Sequence, residues 1–410
     1  MTGKVLLLAN NFPPVRGGSA VVYDNIASAS CGRIDVLAPR IGYADGLPLI
    51  GWREHDRRAP YRVHRLRLLR TVLASSAPSS PAQRARLLAN DLAIRLQLWF
   101  AILRLVRRER VRAVCLGELV ASGWLIRPLR RLLGLRVIVY IHGEEITTDD
   151  PYDPGKRRCR QRLLEADGII VVSRFTETVI HDLMGQVPSE KVMLVSNGVA
   201  AKFFTPGPKR ADLLAQYGLD GGFVYVSVCR LLEKKGVDNA LRAFATLTGP
   251  QAARSRFLVV GSGPHQPVLM DLAQQLGVAD RVAFTGLVSE HDLIDFYRLG
   301  DVFVMPNRRL PNGDTEGFGL VFLEANGCGL PVIAGRDGGS TDAVQDGVNG
   351  LVVDGNSVQE IADAMQRLRD DAPLRAQLRQ NGLACAAEAG WERKTEIFLS
   401  FCAGTVDAGR

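Results

Sequence analysis

The sequence predicts an α/β protein built as two parallel-sheet domains that face each other across a central cleft. Three observations lead there. Short apolar runs rich in Val, Ile and Leu alternate with helix-length segments along almost the whole chain, the pattern of parallel sheets covered by helices on both faces. The chain has 410 residues, 47% of them hydrophobic, which is more than one core accommodates. A break with two prolines and a glycine, residues 202–208, falls near the middle, where a linker between two such units belongs.

Residues 4–9 read as a buried strand. They run into Asn11-Phe12-Pro13-Pro14-Val15-Arg16-Gly17-Gly18-Ser19 and a helix from about Ala20. Strand, glycine loop and helix together can cradle a phosphate, although no Gly-Lys-Ser/Thr closes the loop as in a P-loop. An ordinary strand–helix turn has the same look. A second strand is expected at 34–38. The segment 51–70 is arginine-dense, with Arg53, Arg57, Arg58, Arg62, Arg65, Arg67 and Arg70, and 74–81 is a Ser/Pro/Ala loop. A long helix follows at 82–108. On it Leu88, Leu92, Leu96, Trp99 and Leu103 recur at three- and four-residue steps, one apolar stripe expected to pack on the sheet with the arginines solvated. Then come a strand at 111–116, a helix at 120–133, and a strand at 135–141 that delivers His142-Gly143-Glu144-Glu145. A helix at 152–165, a strand at 168–172, Ser173 as the N-cap of the next helix, and a strand at 192–195 complete the first half.

The second half repeats the alternation. Strands are expected at 223–228, 257–260, 282–285, 302–305, 331–334 and 350–353. Helices are expected at 237–247, 265–276, 291–299, 320–326 and 341–345, and three more at 357–369, 373–388 and 391–401 close the chain. The division is therefore 1–203, 204–390, and a terminal segment 391–410 whose helix packs back towards the first domain. Two Rossmann-like units of this kind bind ligands at the carboxyl ends of their strands, in the cleft between them.

Composition narrows the class. Seven cysteines are scattered without CxxC spacing, which predicts reduced thiols and a cytoplasmic protein, and no Cys/His cluster suggests structural zinc. No stretch approaches the roughly 20 apolar residues of a membrane span, and the first apolar run reads as a strand rather than a secretory signal. Residues 1–204 carry 31 Lys and Arg against 18 Asp and Glu, whereas 205–410 carry 20 against 25. A basic half beside an acidic half predicts that one domain meets a polyanion, either a membrane or nucleic acid. The basic residues interleave with leucine rather than aromatics, which disfavours nucleic acid.

The chemistry concentrates around Asp314–Thr315–Glu316–Gly317–Phe318–Gly319–Leu320. Glu324 lies eight positions after Glu316, roughly 12 Å along a helix. That is too far apart for a pair flanking one glycosidic bond, but it suits the two ends of an elongated ligand. Between them lie backbone N–H groups at a glycine-opened helix start, an anion site. A capped amphipathic helix with two unrelated glutamates reads the same way. Arg230 and Lys235 follow the first strand of the second half, a fork and a point charge that suit a diphosphate; a solvated basic loop is the plainer reading. Gly261-Ser262-Gly263-Pro264 lacks the third glycine of a dinucleotide fingerprint, since position 266 is Gln266, and reads as a tight turn. His142 ends a strand at the presumed cleft. No Asp-x-Asp is present to hold a divalent metal, so cations of the chain must neutralise leaving-group charge.

Taken in order, Phe12–Gly18, His142-Gly143, Asn197-Gly198, Arg230 with Lys235-Gly236, Gly261 to Pro264, Glu316 to Gly319 with Glu324, and Gly338-Gly339 resemble the retaining glycosyltransferases of the GT-B fold, carbohydrate-active family four, which includes phosphatidylinositol mannosyltransferases. The resemblance covers nearly the whole chain. It implies an acceptor-side first domain and a nucleotide-sugar-binding second domain. It implies that Glu316 holds donor-sugar hydroxyls, and that the amides of Gly317, Phe318, Gly319 and Leu320 touch sugar and phosphate. Glu324 would bind ribose, and Arg230 and Lys235 the diphosphate as leaving group. Gly17 and Gly18 would close over phosphates and acceptor, His142 would meet the donor sugar, and Leu287 and Val288 the base. Cys229 and Asp342 depart from the family pattern outside this core set.

The implied reaction transfers a hexose, mannose or glucose, from a GDP- or UDP-linked sugar to an acceptor hydroxyl with retention. It needs no metal and no resident cofactor, because the nucleotide sugar is a co-substrate. A sugar-nucleotide epimerase or hydrolase on the same architecture, or a non-catalytic sugar-nucleotide binder, would use the same cleft. The basic first half predicts a peripheral enzyme at an anionic inner membrane face, acting on a lipid-linked or cell-envelope glycan precursor.

Overall fold

A computed structural model describes residues 3–73, 80–185 and 188–405. Two parallel sheets carry the chain. The first is built from β1 (Lys4–Leu8), β2 (Ile34–Pro39), β3 (Arg62–Leu66), β4 (Val111–Leu116), β5 (Arg136–Ile141), β6 (Gly168–Val171) and β7 (Val192–Leu194), in the order β3-β2-β1-β4-β5-β6-β7. The second is built from β8 (Val224–Val228), β9 (Arg256–Val260), β10 (Val282–Gly286), β11 (Val302–Met305), β12 (Val332–Gly335) and β13 (Gly350–Val353), in the order β10-β9-β8-β11-β12-β13. In each sheet the order reverses beside the first strand, so the crevice for a ligand opens above β1/β4 and above β8/β11. The Val, Ile and Leu runs are buried on both faces, as parallel strands covered by helices must be. The terminal helix Trp391–Ala403 packs on β4, β5, β6 and the helix Gly18–Ala29 of the first sheet.

Several expectations change. β3 and the helix Trp52–Arg58 occupy the arginine-dense segment, where no element was expected. Its cations are largely spoken for. Arg65 binds Asp56 at 2.7 Å and the carbonyls of Pro13 and Pro39, Arg58 pairs with Glu54, Arg62 with Glu109, and Arg70 with Glu118. A charged strand at the sheet edge blocks pairing with other chains. The helix expected at 120–133 is broken into Leu119–Ser122, a tight turn Gly123–Leu125, and Ile126–Leu133. Arg162 lies against Gly123 and donates to the carbonyls of Leu119 and Val120. The helix expected from 152 begins at Arg157, because the Asp153 carboxylate caps it through the N–H groups of Arg158 and Cys159. Of the Ser/Pro/Ala loop, residues 74–79 lie outside the described residues.

The long helix, Pro81–Glu109, forms as expected, but of the expected stripe only Trp99 packs on the core and Leu103 is half-buried, while the rest faces out. Ile94, Leu98, Ile102 and Leu105 are buried, while Leu88 is 71% exposed, Leu92 57%, Leu96 48% and Phe100 64%. Positions 92 and 94 differ by about 200° around a helix, so the two rows lie on opposite sides. The helix is apolar on both sides, and periodicity alone does not say which row meets the core.

Candidate active site

The carboxyl ends of both sheets meet at one place. His142 and Gly143 leave β5, and Glu316 and Gly317 precede the helix Leu320–Gly327. Gly317 sits directly against them: a Cβ there would lie 1.9 Å from the His142 carbonyl oxygen. Gly18, at the start of the helix Gly18–Ala29, faces Leu320, with 4.0 Å between its would-be Cβ and Leu320 Cδ1. Other links span the domains nearby. Asp149 N–H donates to the Asn312 carbonyl at 2.9 Å, Arg174 N–H to the Asp342 carboxylate at 2.5 Å, and Arg16 to the Val288 carbonyl at 2.6 Å. The glycine loop, His142 and the Glu316 loop therefore line one cleft.

On the second-domain side, Lys235 is ion-paired with Glu316, and both are largely buried. Burial alone would raise the Glu316 carboxyl, but the Lys235 ammonium more than offsets it, so Glu316 stays ionised below its ordinary range. Neighbouring Lys234 binds Asp314 at 2.6 Å and the Thr315 carbonyl, anchoring the loop from below. Gly339 N–H donates to the Glu316 carbonyl at 2.8 Å. A Cβ on Gly339 would fall 2.0 Å from the Gly317 oxygen, and one on Gly338, at φ +75°, 2.2 Å from the Glu316 oxygen. Only glycines admit this close backbone stacking. Gly317, Phe318, Gly319 and Leu320 thus form a supported loop at a helix N-terminus. Arg230 is exposed at the end of β8 and makes no ion pair among the described residues. The turn Gly261 to Pro264 braces its loop, with Leu231 N–H donating to Ser262 and His265 N–H to Leu231.

Glu324 points towards Tyr297, whose hydroxyl donates to it at 2.7 Å, and burial raises its pKa. Leu287 is exposed and Val288 half-buried; the Val288 carbonyl is engaged by Arg16. Glu324, Leu287 and Val288 lie outside the tight cluster of Glu316, Lys235, Gly317 and His142, as the far end of an elongated ligand would.

On the first-domain side, His142 stacks on Tyr140, ring centroids 4.9 Å apart, and meets the Tyr23 hydroxyl at 2.8 Å. Burial pushes it down to about 3, so the ring is neutral. Glu145, which accepts the Gly143 N–H, is pushed up by burial to about 7. At the end of β4, Glu118 accepts from Asn10 at 2.6 Å and pairs with Arg70; burial raises its pKa as well. Sequence reasoning passed over Glu118, although the rule that ligands meet strand carboxyl ends applies to β4 as to β5. Tyr23 and Tyr297 had no local signal at all. No group of three or more His, Cys, Asp or Glu able to hold a metal occurs among the described residues.

Two family models match parts of the chain. Residues 49–203 match "Glycosyltransferase Family 4" and 210–384 match "Glycosyl transferases group 1". The GDP-mannose-dependent alpha-(1-6)-phosphatidylinositol monomannoside mannosyltransferase of Mycolicibacterium smegmatis is 32% identical over 91% of this chain and 90% of its own. The chain belongs to the family 4 glycosyltransferases. A second relative, the D-inositol 3-phosphate glycosyltransferase of Acidothermus cellulolyticus, is 35% identical over 69% of this chain and 63% of its own. Among solved structures, Anabaena HepE in complex with UDP and glucose superposes with a TM-score of 0.73 at 20% identity, covering 97% of this chain and 99% of that one. The fold is GT-B, and the protein is a hexosyltransferase that uses a nucleotide sugar. Neither of the two curated relatives is an epimerase, a hydrolase or a non-catalytic binder.

Proposed function

We propose that this glycosyltransferase moves mannose from GDP-mannose, with UDP-glucose as the competing donor, to a hydroxyl of a lipid-linked or cell-envelope glycan acceptor, retaining the α configuration. The observation that carries this reading is the Lys235–Glu316 pair beneath the Gly317 loop, pressed against His142. An anion and a cation there lie under a loop whose Gly317 meets the backbone of His142, which carries a neutral hydrogen-bonding ring. Lys235 and the exposed Arg230 neutralise the departing diphosphate, and Glu316 accepts sugar hydroxyls. Burial lowers His142 to about 3, which makes it a poor base for the acceptor's proton, and the departing phosphate takes that proton. The relative's GDP-mannose dependence favours mannose over glucose.

A thermal-shift and turnover screen tests the donor. GDP-mannose is expected to raise the melting temperature and turn over, because a ligand bound only by the folded state stabilises it by mass action. Turnover with UDP-glucose alone overturns the choice of sugar. Activity is also expected to survive EDTA, since Arg230 and Lys235 supply the positive charge. Loss on chelation with recovery on adding Mg²⁺ or Mn²⁺ would contradict that.

The lipid-linked acceptor draws support from the helix Pro81–Glu109. Residues 81–93 are all exposed except Asp91, which is half-buried. Arg84, Leu88, Leu92, Leu96, Phe100 and Arg104 recur every fourth residue, an outward apolar row with an arginine at each end. Such a helix lies in a bilayer interface with its cations at the headgroups. No helix among the described residues is long and apolar enough to cross a membrane. Co-sedimentation with vesicles is expected to rise with anionic lipid, to fall with salt, and to be lost in Leu88→Glu/Leu92→Glu. Both side chains are already exposed, so the fold should tolerate the change. Equal, negligible binding of the wild type to neutral and anionic vesicles at low salt would favour a soluble acceptor.

A further inference from the structure

We propose that Tyr23 is a positioning residue for sugar transfer: it holds His142 with the imidazole proton on Nε2, leaving Nδ1 as a fixed hydrogen-bond acceptor towards the cleft. The inference rests on the reading of the cleft as the transfer site, but its first measurement does not.

The argument is a count of protons. The Tyr23 hydroxyl lies 2.5 Å from the Gly117 carbonyl oxygen and 2.8 Å from His142 Nε2. A carbonyl oxygen only accepts. At 2.5 Å two oxygens without a proton between them would repel, so the hydroxyl proton is committed to Gly117. The Tyr23 oxygen then meets Nε2 as an acceptor, and Nε2 must carry hydrogen. Tyr23 cannot accept by ionising instead, because burial raises its pKa well above the ordinary value.

The ring has little freedom to escape this arrangement. Tyr140 stacks on its face with an interplanar angle of 19°, and Tyr23 meets it edge-on at 78°. Tyr23 is 1% exposed and is carried by the helix that opens at Gly18. It reaches under the sheet edge and ties the end of β4, through Gly117, to the end of β5, through His142. A Cβ on Gly117 would sit 2.6 Å from the Tyr23 oxygen, so this contact needs glycine.

Nδ1 is left over. It has no hydrogen-bond partner among the described residues and is not among the buried unpaired atoms, so it meets solvent. His142 borders the cleft through its carbonyl, which lies against Gly317, and on this reading Nδ1 opens into the same space. A lone pair fixed at that point accepts a hydroxyl of the sugar or the acceptor. Because burial keeps the ring neutral, it orients that hydroxyl without removing its proton. A ring free to exchange tautomers would present N–H to the same hydroxyl for part of the time.

The test uses the full-length protein labelled with ¹⁵N-histidine. Six histidines make the long-range ¹H–¹⁵N spectrum tractable, and His142→Ala assigns the signals. At neutral pH His142 is expected to show a protonated Nε2 and an unprotonated Nδ1. Tyr23→Phe keeps the ring packing and removes only the hydroxyl. It is expected to shift His142 to averaged tautomer signals and to lower kcat about tenfold, the scale of one oriented hydrogen bond, with little change in the donor KM. A wild-type His142 protonated on Nδ1 overturns the proposal, and that measurement suffices if the variant does not fold. A Tyr23→Phe variant in which either the His142 spectrum or kcat stays as in the wild type overturns it too. Absence of turnover with every nucleotide sugar would refute the transfer reading while leaving the tautomer result standing.

Discussion

Lys235→Ala and Glu316→Ala are each expected to lower turnover on the order of a hundredfold or more, the scale of a lost transition-state electrostatic contact. Each partner holds the other ionised in a largely buried position. Removing one leaves an uncompensated charge, which by itself destabilises a protein by about 3–5 kcal/mol. The double variant separates the two effects. Without either charge the folding penalty is relieved, so the melting temperature should recover towards that of the wild type, while turnover stays low. If turnover recovers with the melting temperature, the pair is structural and the donor-site assignment fails.

Gly317→Ala is expected to abolish most activity by a different route. Its backbone is not among the left-handed glycines, so alanine is not excluded by conformation. What excludes it is the His142 carbonyl, 1.9 Å from the position its Cβ would take. Relief requires the two domains to part by more than 1 Å at the point where donor and acceptor sides meet. A misplacement of that size costs about a hundredfold in rate. The contact lies between domains rather than inside either core, so thermal unfolding should change little. GDP should still raise the melting temperature, because Lys235 and Arg230 are untouched. Near-normal kcat/KM in this variant would mean that the cleft works without this close approach.

The same two sites show what kind of information each level held. Strands rich in Val, Ile and Leu are what a sheet covered by helices on both faces requires, so the alternation with helices determined two parallel sheets without any knowledge of contacts. Glu316, Gly317 and the helix that follows were legible because strand, glycine loop and helix are local in the chain. So was the pairing of Arg230 and Lys235 with a strand end. The segment 51–70 was legible as arginine-dense, and only the fold shows Arg65, Arg62 and Arg70 committed to Asp56, Glu109 and Glu118. Charge is visible in a sequence; its partner is not, because the partners lie 9 to 48 positions away.

The helix Pro81–Glu109 marks the limit of periodicity. Two apolar rows share it, and only packing against β4 decides that Ile94, Leu98 and Ile102 go inward while Leu88, Leu92, Leu96 and Phe100 stay out. His142 was placed at the cleft by its position after β5. Its protonation was decided by Tyr23 and Gly117, residues 119 and 25 positions distant, through a hydrogen bond that exists only once three elements converge. The sequence by itself determined the two parallel sheets and put Glu316, Lys235, Arg230 and His142 at strand ends and in local loops, because those follow from patterns local in the chain. The tertiary structure alone decided which of those groups are paired, which face of a helix is left to the solvent, and which ring nitrogen is free, because each depends on neighbours that are remote along the chain.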